Sequence, residues 1–237
     1  MSEGQARHDE LVGTLAVTRQ RIAAACAESG RDPDDVTLVV VTKYFPASDV
    51  RILLDLGVTD VAENRHQEAV EKAAECADLA DLRWHFVGGL QSNKAAAVAA
   101  YADVVQSVDR AKLVGPLARG AAERGRVLDV LLQVSLDAPG ADHRAGVAPA
   151  DVAALADRVA GSEALRLRGL MAVAPLGEEP GAAFDRLAEA HRELLAEHPD
   201  ATWLSAGMTG DLGAAVIRGA THVRVGSGVL GSRPAVQ

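Results

Sequence analysis

Lys43 closes the run Leu38-Val39-Val40-Val41-Thr42 and precedes Tyr44-Phe45-Pro46. Strand alternation puts it on the face shared by Val39 and Val41. An amine at the rim of an apolar interior is desolvated, which favours the neutral nucleophile that Schiff-base chemistry needs. The competing reading is a strand-end lysine that reaches back to solvent, and position alone favours that one. Two further segments shift the balance. Ser205-Ala206-Gly207-Met208-Thr209, followed by Gly210-Asp211, and Arg224-Val225-Gly226-Ser227-Gly228 are loops of small residues at strand ends. Backbone N–H groups in such loops, beside a helix N-terminus, cradle phosphate. Each alone reads as a tight turn with Thr209 or Asp211 as a cap; together they point to a phosphate. Arg224 lies just before Gly226 on the same strand face. An arginine aimed into a barrel mouth needs an acceptor, either a buried Asp or the pyridine nitrogen of a cofactor.

These residues depend on the elements that carry them. Apolar, β-branched runs recur at Thr37–Thr42, Thr59–Glu63, Trp84–Gly88, Asp103–Val108, Asp129–Leu136, Leu167–Val173, Thr202–Ala206 and His222–Gly226. Between them Ala47–Leu56, Arg65–Ala77, Asn93–Tyr101, Ala111–Glu123, Pro149–Ala160, Ala182–Glu197 and Asp211–Arg218 have helical periodicity. Strands alternating with helices imply βαβ units and a parallel sheet. Continuously apolar strands such as Leu38–Val41 fit a sheet covered on both faces. Eight such units in one chain predict a single α/β domain, a (β/α)8 TIM barrel, over an open doubly wound sheet. A barrel collects its active site at the C-terminal strand ends, where Lys43 and both loops fall. Residues 1–30, with Leu11, Leu15, Ile22 and Ala25 at helical spacing, read as an extra N-terminal helix packing on a barrel of residues 31–237. The turns near Pro139-Gly140 and Gly177–Gly181 carry ordinary loop chemistry.

Composition narrows the classes. The 237 residues hold 24 Lys and Arg against 33 Asp and Glu, a net charge of −9, and only three Phe, two Trp and two Tyr. That argues against a nucleic-acid binder, which needs a basic footprint or stacking platforms. Cys26 and Cys76 form no metal-binding or disulfide pattern and fit a reducing compartment. The polar start and the lack of a long apolar run predict neither a secretory signal nor a membrane span, hence a cytoplasmic chain. Gly226-Ser227-Gly228-Val229-Leu230-Gly231 matches GxGxxG, but six residues after it cannot complete a dinucleotide-binding unit. His85 reads as a hydrogen-bonded interior histidine. His191 and His198 read as boundary residues and not a metal pair, so no metal is expected. Glu71-Lys72 and Arg119–Arg126 read as solvated helix faces, and Gln91-Ser92-Asn93-Lys94 as a helix cap.

In order, the chain carries Val41-Thr42-Lys43-x-x-Pro46, Glu63-Asn64 with Gln67-Glu68, and Trp84-His85-Phe86-Val87-Gly88-Gly89-Leu90-Gln91-Ser92-Asn93-Lys94. Then follow Arg168-Gly169-Leu170-Met171, Leu204-Ser205-Ala206-Gly207-Met208-Thr209-Gly210-Asp211 and Val223-Arg224-Val225-Gly226-Ser227. From about Thr37 to Gly231 this resembles the pyridoxal phosphate homeostasis protein family, which is similar to the barrel domain of alanine racemase (fold type III). The resemblance implies that Lys43 carries pyridoxal 5′-phosphate as an internal aldimine. It implies that Asn64 lies near the cofactor ring and that Arg224 faces the pyridine nitrogen. Ser205, Gly207, Met208, Gly226 and Ser227 would hold the phosphate. Departures from the family pattern are Thr42 for a usual Ser, Ser227 for a usual Thr, Gly89 for a Pro after Gly88, and Gly213 for an acidic residue.

An Arg opposite the ring nitrogen disfavours its protonation and weakens the electron sink. A racemase needs a base on each face of the substrate carbon. Lys43 could serve one. The fold type III racemases take the other, a Tyr, from an added C-terminal domain that this chain is expected to lack, and neither Tyr44 nor Tyr101 is placed to replace it. The leading expectation is therefore a cofactor carrier that stores, buffers or delivers pyridoxal phosphate, with cofactor-requiring apo-enzymes as partners and a monomeric state. The alternatives are a weak amino-acid racemase and a Schiff-base aldolase acting on a phosphorylated substrate.

Overall fold

The computed structural model describes residues 3–137 and 145–232, which leaves the turn at Pro139-Gly140 outside the described residues. Eight strands form the wall: β1 (Thr37–Val41), β2 (Asp60–Glu63), β3 (Arg83–Phe86), β4 (Val104–Val108), β5 (Leu128–Gln133), β6 (Leu165–Met171), β7 (Trp203–Ser205) and β8 (His222–Val225). Each pairs in parallel with the next, and β8 closes onto β1 through Val39 opposite Arg224 and Val40 opposite Val225. The chain is a closed (β/α)8 barrel.

The helices follow from capping as much as from periodicity. An N-terminal helix, α1 (Glu3–Ser29), ends where Gly30 turns left-handed at φ +68°. Next come α2 (Ala47–Asp55), α3 (His66–Glu75), α4 (Ala95–Ala99), α5 (Val114–Arg124), α6 (Val152–Ala160), α7 (Pro180–Glu197) and α8 (Leu212–Ile217). Pro180 opens α7 at its first position, and the Glu179 side chain caps it by accepting from Ala182 N–H. A one-turn helix, α9 (Ser227–Leu230), follows β8 directly where the sequence predicts only a loop.

The aliphatic residues lie mainly between the strands and the helices. Val40, Val61, Trp84 and Val225 pack under α1 and α2 with Leu11, Leu15, Val50 and Leu53. Phe86, Val105, Val130, Leu132 and Leu204 pack under α4 to α7. The barrel interior holds a small apolar cluster of Val104, Leu131 and Met171. Much of the rest is polar: Asp60, His85, Gln106, Ser205, His222 and Arg224 are all buried. Strand alternation explains the division, since β-branched residues fill the outward faces and the polar ones take the inward positions. At β4 the pairing jumps from Val105–Val130 to Val108–Leu132, so β4 holds one extra residue there; Gln106, two residues after the inward Val104, faces the interior by alternation.

The N-terminal helix packs against α2, α8 and α9. Its contacts with α9 are specific. Thr14 Oγ1 donates to the Val229 carbonyl at 2.6 Å, Thr18 Oγ1 to Gly228 at 3.3 Å, and Arg7 Nη2 to Leu230 at 3.1 Å. Arg21 reaches the Thr209 carbonyl at 2.7 Å.

Candidate functional site

The ends of β1, β2, β7 and β8 are neighbours on one rim, and the residues singled out above sit on them. Lys43 follows β1 and is half-buried. Among the described residues no hydrogen bond or ion pair engages its amine. Its two chain neighbours, by contrast, are fixed. Thr42 is fully buried, and its hydroxyl donates to Glu63 Oε1 at 2.6 Å. Tyr44 stands in the left-handed region at φ +72°, and its N–H donates to Glu68 Oε1.

Behind this turn lies a buried ionic group. Lys72 Nζ donates to Glu63 Oε1 at 2.5 Å, to the Thr42 carbonyl at 2.8 Å and to Glu68 Oε1 at 3.2 Å. This corrects the solvated-face reading of Glu71-Lys72: Lys72 is 5% exposed because Glu63, on a strand rather than on its own helix, draws it inward. Burial raises the Glu63 carboxyl above the ordinary carboxylate range, against the pull of Lys72 and Thr42. The Glu68–Lys72 part of the group was readable as an i, i+4 pair on a helix. Glu63 gave no such signal.

Asn64 follows Glu63, and its side-chain oxygen is buried without a partner. Gly88 explains how that segment is shaped. A Cβ at Gly88 would stand 2.1 Å from the Asn64 carbonyl oxygen, so only glycine fits there, whatever follows it at Gly89. Nearby, His66 stacks on Tyr101 at 5.9 Å, and burial raises the Tyr101 hydroxyl far above its ordinary value, with the Glu63 charge acting in the same direction.

The two small-residue loops meet. Thr209 Oγ1 accepts from Gly228 N–H at 3.2 Å and lies 3.4 Å from Ser227 Oγ. Gly207, at φ +90°, brings the first loop against α8, where a Cβ would meet Ala215 Cβ at 2.7 Å. Met208 is exposed at the rim, with its N–H donating to Asp211 Oδ1 at 2.6 Å. Gly226 borders β1, its missing Cβ 3.4 Å from the Val41 carbonyl oxygen.

Arg224 has no carboxylate within ion-pair distance among the described residues, so the buried-Asp reading fails. Its Nη1 donates to Ser205 Oγ at 2.7 Å and its Nη2 to the Ala172 carbonyl at 2.8 Å. Burial lowers the guanidinium to about 10, with Asp211 pulling the other way, so it stays charged at neutral pH. Ser205 Oγ donates onward to Gln106 Oε1 at 2.6 Å, and Gln106 Nε2 donates to His85 Nδ1 at 2.8 Å. His85 Nε2 then donates to Asp60 Oδ1 at 2.8 Å. Each donor in this string faces an acceptor, from the cation at the rim to the anion at the barrel floor. His85 is thus the hydrogen-bonded interior histidine expected. Gln106 and Asp60 had not been singled out, although Gln106 stands out in the apolar run Val104–Val108. The Ser205 hydroxyl is fully buried and committed to Arg224 and Gln106, so toward a phosphate Ser205 has only its backbone.

Residues 20–234 match the model of the alanine racemase N-terminal domain family. Over 242 residues the chain is 42% identical to the pyridoxal phosphate homeostasis protein of Mycobacterium leprae, covering 95% of this chain and 93% of that one. The protein of the same name from Escherichia coli K12 is 34% identical over 230 residues, covering 95% and 97%. Among solved structures, PipY of Synechococcus elongatus with pyridoxal phosphate bound superposes with a TM-score of 0.77 at 39% identity, covering 89% of this chain and all of that one. Alanine racemase of Corynebacterium glutamicum shares the fold alone, with a TM-score of 0.68 at 14% identity over 97% of this chain and 63% of that one.

Proposed function

This chain belongs to the alanine racemase N-terminal domain family, and from that premise we propose that it binds pyridoxal 5′-phosphate on Lys43 and works in the homeostasis of that cofactor. The observation that carries the reading is the uncommitted amine of Lys43 on the same rim as the joined loops of Gly207 and Gly226. The residues present suit the group. The buried, unpartnered Asn64 oxygen faces no donor of the protein, and the two glycine loops join on the rim as the kind of backbone concavity that receives anions. Lys43 would bond the cofactor's aldehyde, Asn64 would lie beside the ring, and Arg224 would face the ring nitrogen. Gly207, Met208, Gly226 and Ser227 would hold the phosphate, with Ser205 acting through Arg224.

When bound, the cofactor offers an aldehyde to amines and withdraws electrons from what they carry. The protein restrains the second property. Arg224 is buried and held by neutral acceptors, Ser205 Oγ and the Ala172 carbonyl, so its charge is directed at whatever adjoins it and opposes a proton there. Racemisation also needs a second base. Tyr44 lies under the Arg65 guanidinium at 5.0 Å, and the Tyr101 hydroxyl is buried and held neutral. Both arguments support exchange of the cofactor with amines over turnover of an amino acid, in a cytoplasmic carrier that stores the cofactor or passes it to apo-enzymes.

Purified protein should show the absorption band of amine-bound pyridoxal phosphate. Borohydride reduction should place the label on the Lys43 peptide, and Lys43→Ala should lose both signals. A colourless protein that cleaves a sugar phosphate would overturn this reading in favour of the aldolase.

A further inference from the structure

The turn that carries Lys43 is held from both sides. On the β1 side, Thr42 is tied by its hydroxyl to Glu63 and by its carbonyl to Lys72. On the α2 side, Tyr44 N–H is taken by the Glu68 carboxylate. Among the described residues Tyr44 is the one non-glycine residue with positive φ. A side chain disfavours that conformation, which persists only where the surroundings over-determine it. Here they do: the Glu68 carboxylate that accepts from Tyr44 is itself seated by Lys72 Nζ, 3.2 Å away, and Lys72 is anchored on Glu63.

We propose that Glu68, seated by Lys72, is a positioning residue for Lys43: it holds Tyr44 left-handed and so fixes the direction in which the amine leaves the rim. The inference rests on Lys43 as the point of cofactor attachment. Strand β1 is locked in the barrel, and α2 is locked by buried Ala47, Val50 and Leu53. If Tyr44 relaxes to negative φ, neither flank can move to absorb the rotation, and Lys43 must take it up. The carboxylate therefore acts on the amine through one backbone hydrogen bond and not by pairing with it.

Three variants test this. Glu68 is part-exposed, with a side chain 26% accessible, so replacing it leaves the core intact. Glu68→Ala removes the acceptor, Glu68→Gln keeps one without the charge, and Tyr44→Gly removes the steric cost of positive φ. Cofactor uptake by the full chain is followed by absorption during titration with pyridoxal 5′-phosphate, and the turn is followed by hydrogen exchange at the residue-44 amide without cofactor. Glu68→Ala should weaken uptake about tenfold and speed that exchange to a similar degree. Glu68→Gln should retain most of both, and adding Tyr44→Gly to Glu68→Ala should recover the uptake. Wild-type uptake in Glu68→Ala, or a double variant no better than Glu68→Ala, overturns the proposal. If borohydride reduction leaves no cofactor on Lys43 of the wild type, it is the functional reading that fails. The exchange measurement then decides the turn alone: equal protection in wild type and Glu68→Ala overturns it.

Discussion

Whether a charged side chain is solvated depends on who meets it across the fold, and two residues here show it. The pair Glu71-Lys72 has the look of an outer helix face. Only Glu71 behaves so, because β2 delivers the Glu63 carboxylate beneath the helix to meet Lys72. Spacing along one element cannot report a partner from another. Lys43, Arg224 and the two glycine loops were legible for the opposite reason: their position at strand ends is set by the strands themselves. Asn64 was reachable only through resemblance. Gln106 belongs to the same lesson and yields a prediction. It is fully buried, accepts from Ser205 and donates to His85. Gln106→Leu keeps the size but leaves a hydroxyl and an imidazole nitrogen unpaired in the interior. Leaving two buried groups unsatisfied costs about 2–5 kcal/mol, which a drop in the urea midpoint should register. An unchanged midpoint would show that the string does not stabilise the barrel.

At the scale of elements the sequence was read well where runs are continuous and poorly where they are short. All eight strands are legible in the sequence, with ends displaced by up to a few residues, because each carries aliphatic or aromatic residues on the face that packs under the helices, even where its inward face is polar. The short α4 was overextended from Asn93 to Tyr101, since an alanine-rich stretch has helical propensity beyond the turn that packs. The one-turn α9 was missed because so short a helix has no period to detect. Its stability comes from outside: carbonyls at its C-terminal end have no intrahelical partner, and Thr14, Thr18 and Arg7 of the N-terminal helix supply the donors. Thr14→Val should therefore cost about 1 kcal/mol in denaturant unfolding and speed amide exchange at Val229 and Leu230. Exchange faster everywhere except in α9 would contradict the capping role. Because Ser227 opens the same helix, cofactor uptake should weaken alongside.

Across the whole molecule, acid acts through the barrel floor. Burial lowers the His222 imidazole to about 3, with Asp60 pulling the other way. The unfolded chain takes that proton at the ordinary value of 6.5, whereas the fold resists it until about 3. Between those values the unfolded state binds more protons, so stability falls as the pH drops through that window. Asp60 adds to this further down. Burial alone would raise its carboxyl, but the hydrogen bonds from His85 and Thr59 and the charge of Arg83 hold it below its ordinary value. The urea midpoint should be level above about pH 6.5 and decline steadily toward pH 4, and His222→Gln should flatten the decline. A midpoint indifferent to pH over that range would refute the assignment. The same polar interior bears on how the barrel chooses its stagger. Sliding β4 or β7 by two residues along its neighbours would still turn the same faces inward, and an aliphatic filling could repack around the slip. The line of donors from Arg224 to Asp60 could not, because Gln106 and Ser205 come from strands three apart in the wall and meet at a single offset. The charged string that tunes the rim is thus also the feature that admits only one shear of the wall.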